Sequence, residues 1–272
     1  MRATLPTLVG TALLGAASLS AAADIDVMTQ NQYLGTDLEP VLSAATADPF
    51  DPTAFNLAVV TALQQIAASK PAERARALAA NIAQRNPDVV GLQEAYQFVC
   101  MPLGPQAPGQ NCDHPALKAA FTDQLANTVA ALRGRYMLAG KVTEMKLQAP
   151  QGIPFTTTTA GSSYGLLTLA DRDAILVKTG LPAQPVNLAA LTGCRASDQG
   201  CNYNNGGYGP PTLTLPGGLG TIAIERGYLA VDVTVRGRDY RVFNTHLEQR
   251  LLSPSQPQTR LLQVMQAYEL LG

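Results

Sequence analysis

Tryptophan is absent from the 272 residues, histidine occurs twice (His114 and His246) and cysteine four times. So short a supply of imidazole and thiolate donors argues against a four-ligand zinc site. Charged residues make up only 14%, and 19 basic side chains face 20 acidic ones, for a formal net charge of −1. That balance argues against a broad positive surface of the kind that holds nucleic acid non-specifically. It leaves open chemistry on phosphate esters, where a bound metal supplies positive charge locally. Beyond the N-terminus no run is long and apolar enough to cross a bilayer, and no internal repeat is visible. What is abundant is hydrophobic residues, at 46%. That suits a globular chain, and the length suits one large domain.

The N-terminus reads as an export leader. Arg2 is its one positive charge, Leu5 to Leu19 is an apolar stretch, and Ala21-Ala22-Ala23 ends it as a small-residue cleavage site. A signal peptide over 1–23 and a mature domain over 24–272 follow, in a secreted or periplasmic protein with no stable membrane anchor. In an oxidising compartment the simplest pairing of the cysteines is local, Cys100–Cys112 and Cys194–Cys201, each closing a short loop. A cysteine nucleophile is not expected.

Strand and helix signals alternate early. A strand is expected over Asp24–Asn31, with Ile25, Val27, Thr29 and Asn31 on one face. Pro40–Lys70 holds one or two helices broken at Asp48-Pro49 and Asp51-Pro52. Ala72–Arg85 is a helix stopped by Asn86-Pro87. Asp88–Glu94 is a short buried strand, and Tyr96–His114 a Pro/Gly-rich loop. Pro115–Arg133 reads as a helix with Gly134 as its stop. Tyr136–Leu147 and Asp173–Lys178 read as strands, and Ala149–Ser163 and Thr192–Gly220 as loops. The clearest β signal is Ile222–Leu247. There Leu229, Val231, Val233 and Val235 share a face, Arg236-Gly237-Arg238-Asp239 turns, and Tyr240, Val242, Asn244 and His246 share a face on the return. Gln256–Leu271 closes with a helix. The expected fold is α/β (α+β): two packed, mostly antiparallel sheets flanked by helices, a four-layer α/β/β/α sandwich.

Polar residues at the ends of apolar strands are the chemical candidates: Asn31, Glu94 and His246. A strand tip aims an oxygen ligand rigidly, which suits a hard divalent cation held by the Glu94 carboxylate and the Asn31 amide. His246, with an ordinary pKa near neutrality, would carry protons. Taken singly, each has a plainer reading: a strand-end charge, a turn cap, a satisfied core histidine.

The words around these residues are more specific. Asp26–Leu34 reads D-V-M-T-Q-N-Q-Y-L, Asn86–Ala95 reads N-P-D-V-V-G-L-Q-E-A, Glu225–Asp232 reads E-R-G-Y-L-A-V-D, and Asn244–Leu247 reads N-T-H-L. In this order they resemble the endonuclease/exonuclease/phosphatase superfamily, from about Asp24 to the C-terminus. The resemblance implies a metal-dependent phosphoesterase, working with Mg²⁺ (or Mn²⁺ or Ca²⁺) on a nucleic acid, a phospholipid or a small phosphoester, and acting as a monomer. It implies Asn31 and Glu94 at the metal, His246 as the catalytic histidine against the scissile phosphate, and Arg226, Asn244 and Asp173 as substrate-binding or network residues. Asp173 has an equal reading as a strand-start cap.

The same resemblance exposes a departure. The family continues past the T-H-L word with G-D-x-N and ends with S-D-H; no D-x-N occurs here, and Ser197-Asp198-Gln199 lies before the T-H-L word and lacks the histidine. The expectation is a C-terminally truncated form with reduced or no activity. The alternative is a catalytically degenerate binding module for a phosphate ligand or a protein partner, with the two cysteine-closed loops as contact surfaces.

Overall fold

The computed structural model describes residues 24–148, 151–158, 163–248 and 258–271. The leader assigned to 1–23 lies outside these residues. The elements in chain order are β1 (Val27–Asn31), α1 (Glu39–Ala45), α2 (Pro52–Ala68), α3 (Pro71–Arg85), β2 (Val89–Gln93), β3 (Gln97–Leu103), α4 (Gln124–Ala131), β4 (Tyr136–Leu147), β5 (Ile153–Phe155), β6 (Tyr164–Lys178), β7 (Ala183–Pro185), α5 (Leu188–Thr192), β8 (Arg195–Ser197), β9 (Gly200–Asn202), β10 (Thr212–Leu215), β11 (Gly220–Ala223), β12 (Gly227–Val235), β13 (Arg238–Thr245) and α6 (Gln258–Leu271).

Period-two alternation explains the layers. β6 is the hub of one sheet, in the order β1-β2-β6-β3 with β4 and β5 also pairing β6. Its Ala174 and Leu176, with Val90 and Leu92 of β2, face a cluster closed by Ile82 of α3 and Leu125 of α4. Ile175 and Val177 of β6 and Val89 of β2 point the other way, onto Leu229, Val231, Val233 and Val235 of β12. The second sheet runs β13-β12-β9-β8, with β7 pairing β12. Its outer face packs Tyr203, Tyr228 and Ala230 against Leu188 of α5 and Leu270 of α6. The order helix, sheet, sheet, helix is the expected sandwich. All pairings are antiparallel except β1 with β2.

Local signals account for the ends. The Asp51 carboxylate accepts the N–H groups of Thr53 and Ala54 at 2.8 and 3.2 Å, starting α2 at Pro52. Asn86 ends α3 in the left-handed region at φ 52°. The β12–β13 loop is the two residues Arg236 and Gly237, both at positive φ, between paired Val235 and Arg238. Both expected disulfides are present, with Cα–Cα distances of 5.5 Å for Cys100–Cys112 and 5.8 Å for Cys194–Cys201.

Four expectations are corrected. The segment expected as a loop after Tyr96 contains β3, which pairs with β6 alone, so that Pro102 is tolerated on a sheet edge. The helix expected over Pro115–Arg133 is reduced to a short 3₁₀ turn at Lys118–Ala120 and to α4. The break falls where the Thr122 carbonyl accepts the Phe98 N–H and the Asp123 carboxylate caps the new helix. β6 begins nine residues before Asp173, which is therefore mid-strand rather than a strand-start cap. Finally, the segments expected as loops carry β5, and β8 to β10.

Candidate active site

Glu94 follows β2 with φ 52°, a left-handed conformation unusual for a residue with a side chain. A clamp holds it there. The Ala95 N–H donates to the Arg172 carbonyl (2.8 Å), the Arg172 Nε donates back to the Ala95 carbonyl (3.0 Å), and the Arg172 guanidinium grips Asp123 at 2.7 and 3.1 Å. So turned, Glu94 accepts the Leu34 N–H on Oε2 at 3.0 Å, while its Oε1 lies 3.9 Å from Nε2 of His246.

His246 immediately follows β13, whose position is fixed by Asn244. The Asn244 amide donates to the carbonyls of Leu92 (2.8 Å) and Ala174 (2.9 Å) and accepts from Gln93 Nε2 (2.5 Å). Its partners all belong to the opposite sheet. Gly91 makes room for it, since a Cβ there would stand 2.8 Å from Asn244 Oδ1. Asn244 was expected to bind substrate; it is instead buried between the sheets with both N–H donors taken up, and its role is to place His246.

Behind Glu94 lies a nest of buried charge. Thr143 pairs with Arg172 and Met145 with Asp171, so Glu144 is the extra residue of a bulge in β4. Glu144 is wholly buried and accepts the Gly227 N–H at 3.0 Å. This explains the Arg-Gly step: a Cβ on Gly227 would come within 2.7 Å of the Cys201 carbonyl and 2.9 Å of Asn202 Oδ1. Arg226 presents one nitrogen to Glu144 Oε2, Asp171 Oδ2 and His246 Nδ1, each at 3.4 Å, and its other to Glu248 Oε1 at 3.6 Å. Arg226 was expected to meet substrate; its guanidinium is the internal counter-charge of this nest.

Burial dominates the titration. It pushes the Asp171 carboxyl up to about 6 against the pull of Arg226, and pushes Glu144 and Asp173 well above the usual carboxylate range. Against the pull of burial, Glu144, Glu248 and Asp171 hold the Arg226 guanidinium firmly protonated. His246 is lowered to about 4 by burial and then by the charge of Arg226, with Glu94 opposing. The expectation of a histidine titrating near neutrality is corrected: His246 is neutral at pH 7. Its Nδ1 faces a guanidinium, which can only donate, so Nδ1 is the acceptor and the proton sits on Nε2, toward Glu94.

Asp173, expected to touch substrate, is wholly buried, and neither of its carboxylate oxygens makes a well-formed hydrogen bond. One ligand atom each from Glu144, Asp173 and His246 lie within 4.8 Å of one another. Two carboxylates and a neutral imidazole, in a nest where Glu94, Asp171 and Glu248 add further carboxylates and Arg226 is the one counter-charge among the described residues, fit a divalent cation. The orphaned Asp173 oxygens are the atoms such a cation would satisfy. Asn31, expected as a ligand beside Glu94, is not among these residues. It is exposed, and its Oδ1 accepts the Tyr33 N–H at 2.7 Å, tying the turn after β1. Glu144, Asp171 and Glu248 were not anticipated. The available signal was a carboxylate set inside an apolar strand run, as in V-T-E-M and L-A-D-R-D-A-I.

No protein-family model and no curated protein matches the chain. Solved structures do. An endonuclease/exonuclease/phosphatase from Beutenbergia cavernae DSM 12333 is similar at 19% identity and TM-score 0.35, over 90% of this chain and 42% of that one. An endonuclease/exonuclease/phosphatase family protein from Leptotrichia buccalis C-1013-b is similar at 11% identity and TM-score 0.29, over 64% of this chain and 47% of that one. A humanized D. rerio TDP2 is similar at 16% identity and TM-score 0.31, over 89% of this chain and 54% of that one. The chain thus spans about half the length of the structures it matches, or less.

Proposed function

We propose that this chain is a divalent-metal-dependent phosphoesterase of the endonuclease/exonuclease/phosphatase superfamily, exported to an oxidising compartment. The observation that carries the reading is the convergence of Glu144, Asp173 and His246 within 4.8 Å, with the Asp173 oxygens unsatisfied. The sequence words around Glu94, Arg226 and His246 support it independently.

When bound, a divalent cation neutralises charge on a phosphoryl oxygen and makes water a better nucleophile. The chain's own residues do the rest. Glu144, Asp173 and His246 would hold the cation. Because His246 stays neutral, its Nε2–H gives a hydrogen bond to an oxygen carrying negative charge rather than a full proton. Glu94, which lines the cleft with its Oε1 beside His246, would accept a proton from an attacking water. Arg226 opposes the burial that raises the Glu144, Asp171 and Asp173 carboxyls, and so favours the ionised form that can act as a ligand. The mixed oxygen and nitrogen donors suit Mn²⁺ as well as Mg²⁺. The two disulfides support the export reading, and no helix among the described residues is long and apolar enough to cross a membrane.

The test is Mn²⁺ titration by calorimetry, with hydrolysis of bis-p-nitrophenyl phosphate measured alongside. Binding near one equivalent, with turnover, both lost in Asp173→Asn, is the expected result. Absence of Mn²⁺ and Mg²⁺ binding refutes the metal assignment. Binding without turnover favours a phosphate-binding module instead.

A further inference from the structure

A cleft of ≈ 420 Å³ opens from the Glu94, Asp171, Arg226 and Glu248 end of the site. Its walls are apolar. Leu38, Val41 and Leu42 line it from α1 and its approach, Met145 from β4, and Leu213 and Ile222 from the β10–β11 hairpin. That hairpin forms a two-stranded sheet by itself. Its threonines alternate outward: Thr212, Thr214 and Thr221 are exposed, Leu213 and Ile222 are half-buried and paired with each other, and Leu215 is anchored in the core with Phe55 and Tyr96. Leu38, Val41, Met145, Leu213 and Ile222 are likewise half-buried around that core. Apolar surface of this kind, set beside a polar reaction site, is how a binding pocket differs from a core.

The charge on the cleft has one sign. Among the described residues, Asp37, Glu39, Glu94, Asp171, Glu225 and Glu248 line it against Arg226 alone, and Arg226 is already engaged by Glu144, Asp171 and Glu248. Glu225 is itself paired with Arg195. A polyanionic strand lying along this cleft would set successive phosphates against carboxylates, with no further basic side chain among the described lining residues to receive them. An uncharged apolar extension of a single phosphoester meets no such repulsion and can lie on the apolar walls.

We infer that the substrate is a phosphoester bearing an alkyl-type apolar group, and that this group lodges between α1 and the β10–β11 hairpin. The inference rests on the phosphoesterase reading above and narrows its substrate class. In the step concerned, the water oxygen bonds to phosphorus and gives up a proton to Glu94, the bond from phosphorus to the leaving oxygen breaks, and the leaving oxygen departs with its electron pair.

The experiment compares methyl p-nitrophenyl phosphate with octyl p-nitrophenyl phosphate, below micelle formation, using the full chain with Mn²⁺. Each methylene moved from water to an apolar wall is worth about a fourfold gain, so kcat/KM for the octyl ester should exceed that for the methyl ester at least tenfold. Leu213→Glu and Val41→Glu should bring the ratio toward one. Leu213→Phe, which keeps the wall apolar but fills the space, should lower the ratio without unfolding the protein. Equal kcat/KM for the two esters, or a ratio unmoved by all three variants, overturns the inference. If neither ester is hydrolysed, it is the phosphoesterase reading that fails, and the cleft is judged by calorimetry with octyl phosphate and methyl phosphate. At least tenfold tighter binding of octyl phosphate, weakened by Leu213→Glu, upholds the apolar site. Equal affinities, or displacement of octyl phosphate by an equimolar thymidine oligonucleotide, refute it.

Discussion

Replacing Asp171 by Asn should change the pH dependence of stability in a direction fixed by the charge nest. In the folded chain Asp171 titrates at about 6 rather than near 3.8. Between those values the folded state binds more protons than the unfolded one, so this group's contribution is present at low pH and is lost as pH rises through 6. The difference corresponds to about 3 kcal/mol. His246 does the opposite. Its folded value of about 4 lies below its ordinary 6.5, so over that interval the unfolded chain binds the extra proton and stability rises with pH, again by about 3 kcal/mol. Glu144 and Asp173, also raised by burial, act in the same direction as Asp171, so His246 offsets only part of the fall in the metal-free wild type. D171N removes the contribution of Asp171 and leaves that of His246. Relative to wild type it should therefore gain about 3 kcal/mol or more between pH 4 and pH 6.5, because losing the Asp171 charge also eases the ionisation of Glu144 and Asp173, whatever the substitution costs at pH 4. His246→Gln should show the mirror image, losing stability over the same range. Urea unfolding in EDTA, followed by far-ultraviolet circular dichroism because the chain has no tryptophan, measures both. Parallel curves for wild type and D171N across this range would refute the assignment of a raised Asp171.

Arg226→Met strips the nest of its counter-charge and should cost about 3–5 kcal/mol at pH 7, with part of the loss recovered at pH 5 as the carboxylates protonate; thermal melts at the two pH values check this. Asn244→Ala leaves the Leu92 and Ala174 carbonyls without their inter-sheet donor and should cost roughly 1–3 kcal/mol, read from the urea midpoint at unchanged slope. Cys100→Ser with Cys112→Ser opens a loop of sequence separation 12 and should cost about 3 kcal/mol by loop entropy. Dithiothreitol added to the wild type should produce a loss of the same sign.

Much of the frame was legible because it depends on local pattern. Strict alternation from Leu229 to Val235, with Arg236-Gly237 supplying two positive φ values, specified the β12–β13 hairpin and the face it buries. Asn86-Pro87 stopped α3, and the short cysteine spacings gave the disulfides. What escaped depends on partners distant in sequence. β3 is a strand because β6 offers it an edge, and Pro102 hides that from a local reading. Glu144 turns inward because of a bulge set by its pairing with β6, and no feature of V-T-E-M announces it. Of the residues in the site words, Glu94 and Arg226 both lie beside His246. The words misjudged what Arg226 and Asn244 touch, because burial and hydrogen-bond supply are properties of the packed sheets.

Asn244 acts as a gauge block between the sheets. Its amide is a few ångströms long and must meet two carbonyls and one glutamine nitrogen at once. A sliding of β13 by one residue would replace it with Phe243 or Thr245, neither of which can bridge to both carbonyls, and would also turn the strand's faces over. Apolar faces tolerate small offsets; this contact does not. The height at which His246 emerges two residues later, and so its reach to Glu94, is therefore set by an uncharged side chain that never meets the chemistry.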